Sequence, residues 1–169
     1  ARVAWTLARS QQIPEARRLL TSFLAQHQHA PLGPEDALRL AWALAVAMPD
    51  DADAAAYFKK HLFLSAFAQE ETSSSDPESA RLDWKSRARL LWAAATFSRN
   101  DFEEDADVEA DYAWAVGSLI ASLEEDEQEE ALKSPAAACR AVWAAAVLGA
   151  KVASLSKHAD RACQLVLDA

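Results

Sequence analysis

Apolar residues recur along this chain at spacings of three and four, and helix breakers cut that pattern into pieces of helical length. Residues 1–11 read as a first helix. Pro14 opens a second, where a first-turn proline loses no hydrogen bond. Its apolar set, Ile13, Ala16, Leu19, Leu20, Phe23 and Leu24, is that of an amphipathic helix fading by His27. Residues 29–34 are a Pro/Gly loop. A third helix starts near Pro34, with Glu35 and Asp36 at the positive end of its dipole, and stops near Pro49. Asp50 or Asp51 caps a fourth, running through Tyr57, Phe58, Leu62, Leu64 and Phe67. A polar, Ser-rich loop over 70–77 follows. A fifth helix is expected from about Glu78 to Ser98, and a sixth from Val108 to Leu123 with Tyr112, Trp114, Val116, Leu119 and Ile120. Ser134 and Pro135 form an N-cap and N1 pair for a seventh helix ending at Gly149, and an eighth runs from Ser154 or Ser156 to Leu167.

The eight helices fall into four pairs because one motif returns in every odd-numbered one. R-x-x-W-x-x-A occurs as Arg2…Trp5…Ala8, Arg39…Trp42…Ala45, Arg89…Trp92…Ala95 and Arg140…Trp143…Ala146. Four of the six Trp sit in this context. Self-similarity of this kind marks a repeat architecture, each unit burying its face against its neighbours. The expected fold is all-α: an α-solenoid of about four helix-turn-helix repeats over 1–28, 35–69, 78–124 and 135–168, forming a single array across 1–169. The Trp-to-Trp steps are 37, 50 and 51 residues. A hairpin of about 35–45 residues fits the first step, and the others fit with inserted loops.

On a helix, Arg at −3 and Ala at +3 lie about 60° to either side of the Trp. The motif predicts Trp5, Trp42, Trp92 and Trp143 as core knobs, each burial contributing on the order of 3 kcal/mol. Arg2, Arg39, Arg89 and Arg140 then form a ladder, one guanidinium per repeat. Two uses fit such a ladder. Each Arg can lay its stem over its own Trp or pair with an acid on the second helix of the hairpin. Alternatively, the ladder can meet phosphates or an acidic partner.

Composition supports the helical reading. Apolar residues make up 51% of the chain, alanine dominates and Gly numbers only three, which favours helix over sheet. No uninterrupted apolar run is long enough for a membrane span. The chain opens on Ala1 inside a motif and ends while still apolar, as a segment of a longer polypeptide would. The net charge of −9 is unevenly held. Residues 101–130 carry 13 of the 26 acids and neither Lys nor Arg, so the remainder is mildly basic. Those uncompensated acids predict exposed loops or frayed helix ends near 100–107 and 124–131, and a basic partner if they have one.

Catalytic chemistry is not signalled. There is no Gly-rich phosphate loop, nucleophile elbow or H-E-x-x-H pattern, and no cofactor is implied. His27 and His29 lack acidic or Cys partners at metal-binding spacing, and His61 and His158 are isolated. Cys139 and Cys163 read as small buried residues of a reducing compartment. Lys59, Lys60 and His61 beside Tyr57 and Phe58 suit base stacking near positive charge, or an ordinary amphipathic helix.

The segments Leu40-Ala-Trp42-Ala-Leu-Ala45, Leu91-Trp92-Ala-Ala-Ala95 and Val142-Trp143-Ala-Ala-Ala-Val-Leu-Gly149 resemble the Leu-Trp-Ala-Leu-Ala-x-Leu-Gly signature of octotricopeptide and heptatricopeptide repeats. That signature also occurs in the helical regions of FAST-kinase-like and RAP-domain proteins. The resemblance implies a right-handed superhelix and a non-enzymatic role in a mitochondrial or chloroplast RNA–protein assembly. A mitochondrial ribosome, with contacts to rRNA, mRNA or neighbouring proteins, fits that role. Without RNA contact, the same architecture would serve as a tetratricopeptide-like protein-binding scaffold.

Overall fold

The computed structural model describes residues 1–26, 32–63, 82–99, 106–125 and 134–151. The described residues are all-helical, with no strand among them. Among the described residues there are seven α-helices: α1 (Arg2–Arg9), α2 (Ile13–Gln26), α3 (Pro34–Ala47), α4 (Ala52–Tyr57), α5 (Trp84–Ser98), α6 (Ala106–Glu125) and α7 (Pro135–Lys151). The expected eighth helix lies outside the described residues, as do His27, His29, His158, Cys163, the 70–77 loop and most of the two acidic runs.

Local chemistry sets most helix ends. The Asp51 carboxylate accepts the Ala54 N–H at 3.0 Å and starts α4. Asp83 does the same for Ser86 at 2.9 Å, so α5 begins at Trp84 rather than near Glu78. Each such cap is worth about 1 kcal/mol. Helix α1 ends at Arg9, two residues earlier than expected, because Gln11 turns to a φ of 61° and the Gln12 N–H returns to the Leu7 carbonyl at 2.9 Å. Helix α7 runs through Gly149 to Lys151; a glycine costs a helix only about 1 kcal/mol and does not by itself end one.

Helix α3, like α1, starts without a side-chain cap. Gly33 occupies its N-cap with φ −66° and ψ 157°, no side chain receives the first-turn N–H groups, and a Cβ placed there meets nothing within 4 Å. Gly33→Ser should therefore raise stability by about 0.5–1 kcal/mol, through a cap and a less flexible unfolded chain. The gain would be read as a higher urea midpoint at unchanged m-value.

The chain divides into two compact units, residues 1–80 and 81–169. In the first, α3 packs on both α1 and α2 and on the turn that follows α4. Ala37, Leu40, Ala41, Ala43, Leu44 and Ala47 of α3 are buried almost all round the helix, against a core that includes Leu20 and Phe58. Leu19 of α2, expected on the apolar face, is exposed. The fourth helix leaves α geometry after Tyr57, and its expected continuation through Leu64 and Phe67 lies outside the described residues. From Phe58 to Phe63 it widens into a π-helical turn that sets Phe58 and Phe63 ring to ring at 5.7 Å. Tyr57 closes the α2–α4 contact, edge-on to Phe23 at 5.8 Å and 5.1 Å from the His61 ring. Burial raises its phenol above the ordinary value of 10.0.

In the second unit, α5 packs on α7 and on α6. Leu90, Leu91, Ala93, Ala94, Ala95 and Phe97 of α5 are buried, as are Ala144, Ala145 and Leu148 of α7. Helix α6 contributes Tyr112, Ala115, Val116, Leu119 and Ile120 at three-four spacing. Trp114, expected on that apolar side, is 59% exposed instead, because at 100° per residue it lies on the opposite side of the helix from the buried stripe. Helix α6 also takes in part of the acidic segment: residues 106, 107, 124 and 125 are helical.

Candidate functional site

The helices that carry the repeated motif are α1, α3, α5 and α7, and within each unit they pack directly on one another. The burial pattern then decides which side of the motif faces solvent. On α3, Glu35, Leu38, Arg39, Trp42 and Val46 lie on the side that is not buried, at three-four spacing. On α5 the open stripe is Lys85, Arg89 and Trp92. On α7 it is Ala136, Cys139, Arg140, Trp143 and Ala146. On α1, Arg2 and Arg9 flank Trp5 on the open side.

This corrects the expectation for the tryptophans. Trp5, Trp42 and Trp92 are half-buried and Trp143 is 39% exposed, so none is a fully enclosed core knob. The core is made by the small and aliphatic residues around them: Ala4 and Ala8, Leu40 to Leu44 apart from Trp42, Leu90 to Ala95 apart from Trp92, and Ala144 with Ala145. Alanine lets helix axes approach closely, and an indole cannot fit in such a gap. The bulky member of the motif is therefore displaced to the edge of the interface, beside its Arg. Ala146, the small residue of the fourth copy, is itself exposed.

The four arginines are not equivalent. Arg39 is held by its own helix: it pairs with Glu35 one turn earlier and donates to the Asp36 carboxylate at 3.3 Å. Its acids thus come from the first turn of α3, not from the second helix of the hairpin. Trp5 has a guanidinium over its ring, at 5.1 Å, but that cation is Arg9 rather than the motif's Arg2. Arg2, Arg89 and Arg140 are exposed, with no ion-pair partner among the described residues.

Other candidates change status. Cys139 is a free thiol on the exposed stripe of α7, not a buried filler. Of the basic-aromatic cluster at 57–61, Tyr57, Phe58 and Lys59 are buried in the first unit's core, whereas Lys60 is exposed and His61, half-buried, packs on Tyr57. Among the described residues no group of His, Cys, Asp and Glu could hold a metal ion, and no helix is long and apolar enough to cross a membrane. Comparison of the chain with known protein families, with curated proteins and with solved structures finds no match.

The arrangement suits binding. Arg and Trp are the residues that most often dominate the energy of macromolecular interfaces. Here they recur together at the same two positions of four helices, on the side that neighbouring helices leave open. The clue in the sequence was that every residue between the Arg and the Trp is small or aliphatic, which left the core an alternative to the indole.

Proposed function

We propose that this chain is a non-enzymatic helical-repeat module that binds single-stranded RNA through the Arg–Trp stripe of its motif helices, within an organellar RNA–protein assembly. A mitochondrial ribosome is the setting that fits best. The observation that carries the reading is the placement of Arg2, Arg39, Arg89 and Arg140 beside half-buried or exposed indoles on the open side of α1, α3, α5 and α7. A guanidinium neutralises phosphate, and an indole offers a flat face to an unstacked base. The resemblance of the motif to octotricopeptide-type repeats supports the same function and the mitochondrial location. It also supports a finer architecture, a right-handed solenoid of four hairpins with an eighth helix completing the last. The acidic segment 101–130 would then face a basic protein of the same assembly.

The test is binding of a labelled mixed-sequence RNA oligomer to the full chain over a series of salt concentrations. Binding should weaken linearly in log salt, by about 0.7 in slope for each phosphate neutralised. Tryptophan fluorescence should fall as bases stack. Absence of RNA binding at low salt, together with co-purification of a protein partner, would leave the alternative of a protein-binding scaffold.

A further inference from the structure

The charges of the second unit are sorted by helix. Helices α5 and α7, residues 84–98 and 135–151, contain Lys85, Arg87, Arg89, Arg140 and Lys151 and no acid at all. Helix α6, residues 106–125, contains five acids and no base. Asp83, two residues before Lys85, has its carboxylate engaged by the Ser86 N–H. The first unit shows the opposite economy: Arg39 is neutralised by Glu35 and Asp36, and the Trp5 face is covered by Arg9.

We infer that recognition of the anionic strand is concentrated in the second unit. The stripe of Lys85, Arg89 and Trp92 on α5, with Arg140 and Trp143 on α7, takes the phosphates and bases of a single-stranded RNA. The first-unit Arg39 adds nothing to it. This rests on the RNA-binding reading above and assigns it to particular residues. Two directly packed helices, with axes on the order of 8–10 Å apart, present the same motif positions, and no carboxylate on either competes with phosphate. Trp143 keeps 39% of its surface open, flanked by Arg140, by the small side chains of Cys139 and Ala146, and by the half-buried Val147. Small neighbours leave room for a flat base to stack, whereas a protein partner would favour larger apolar residues there. Stacking on an indole also requires a base free of its duplex, which selects a single strand.

The experiment compares three variants of the full chain by fluorescence anisotropy with a labelled oligouridylate RNA across a salt series. Circular dichroism melting serves as the check on folding. R89Q/R140Q should lower affinity at least about tenfold and flatten the salt slope by about 1.4, with the melting temperature unchanged. R2Q/R39Q should flatten it by no more than one contact, about 0.7, the share of Arg2 alone. W143A should weaken binding roughly tenfold and W143F much less, as expected for stacking. If R89Q/R140Q binds as the unmodified chain does, or if R2Q/R39Q loses the larger slope, the inference is overturned while RNA binding itself stands. If the unmodified chain binds no RNA but binds poly-glutamate through Arg89 and Arg140, both readings fail and the stripe belongs to an acidic protein.

Discussion

Phe97→Ala is expected to destabilise the second unit by about 3–5 kcal/mol, whereas Trp143→Ala should cost about 1–2 kcal/mol. The order is the reverse of what side-chain size suggests. Phe97 has no exposed surface, so truncation both loses its transfer energy and leaves a cavity that the surrounding alanines cannot fill. Trp143 lies on the open stripe and leaves no enclosed void. Since whole domains are stable by only about 5–15 kcal/mol, the first change should shift the urea midpoint strongly and the second much less. Equal losses in the two variants would mean that the fourth motif helix is anchored by its indole after all.

Ala94→Glu should be nearly as damaging, at about 3 kcal/mol or more, the scale of an uncompensated buried charge. Ala94 is fully buried on α5, the helix that packs against both α6 and α7. Alanine and glutamate have similar helix propensities, so the loss would come from burial and steric overlap, not from a weaker helix. Burial would raise the pKa of the introduced carboxyl above its unfolded value. Its penalty would then be full at neutral pH and relieved in part as pH falls through that raised value, because the neutral form is cheaper to bury. Hydrogen exchange should show the lost protection in α5 and α7. A loss of stability identical at neutral and acidic pH would point to steric overlap alone.

Both expectations depend on a distinction between residues that repeat and residues that pack. The repetition of Arg2–Trp5, Arg39–Trp42, Arg89–Trp92 and Arg140–Trp143 is visible in the letters, and so are the helices that carry it. Periodicity, Pro34, Pro135 and the Asp caps are short-range effects, and a helix is built from contacts within four residues. The sequence alone therefore established the all-helical character seen in the described residues, the motif-bearing helices and the local starts at Pro34, at Asp50 or Asp51, and at Pro135.

Which side of each helix faces inward was decided only by tertiary structure. Helix α3 beyond its first turn and the second half of α5 are apolar nearly all round, so their sequences allow several faces to be buried. The face chosen depends on how closely α1, α2 and α7 approach, and the alanines permit the closest approach. That choice put the indoles at the edge. It left Arg39 to the acids of its own first turn, Arg9 over Trp5, and Cys139 in the open. The π turn at 58–63 has the same origin: its local sequence is that of an amphipathic α-helix, and the register shift seats Phe58, Leu62 and Phe63 together in the core. Contacts between residues distant in the chain have no local signature, which is why the repeat could be read from the sequence and its open face could not.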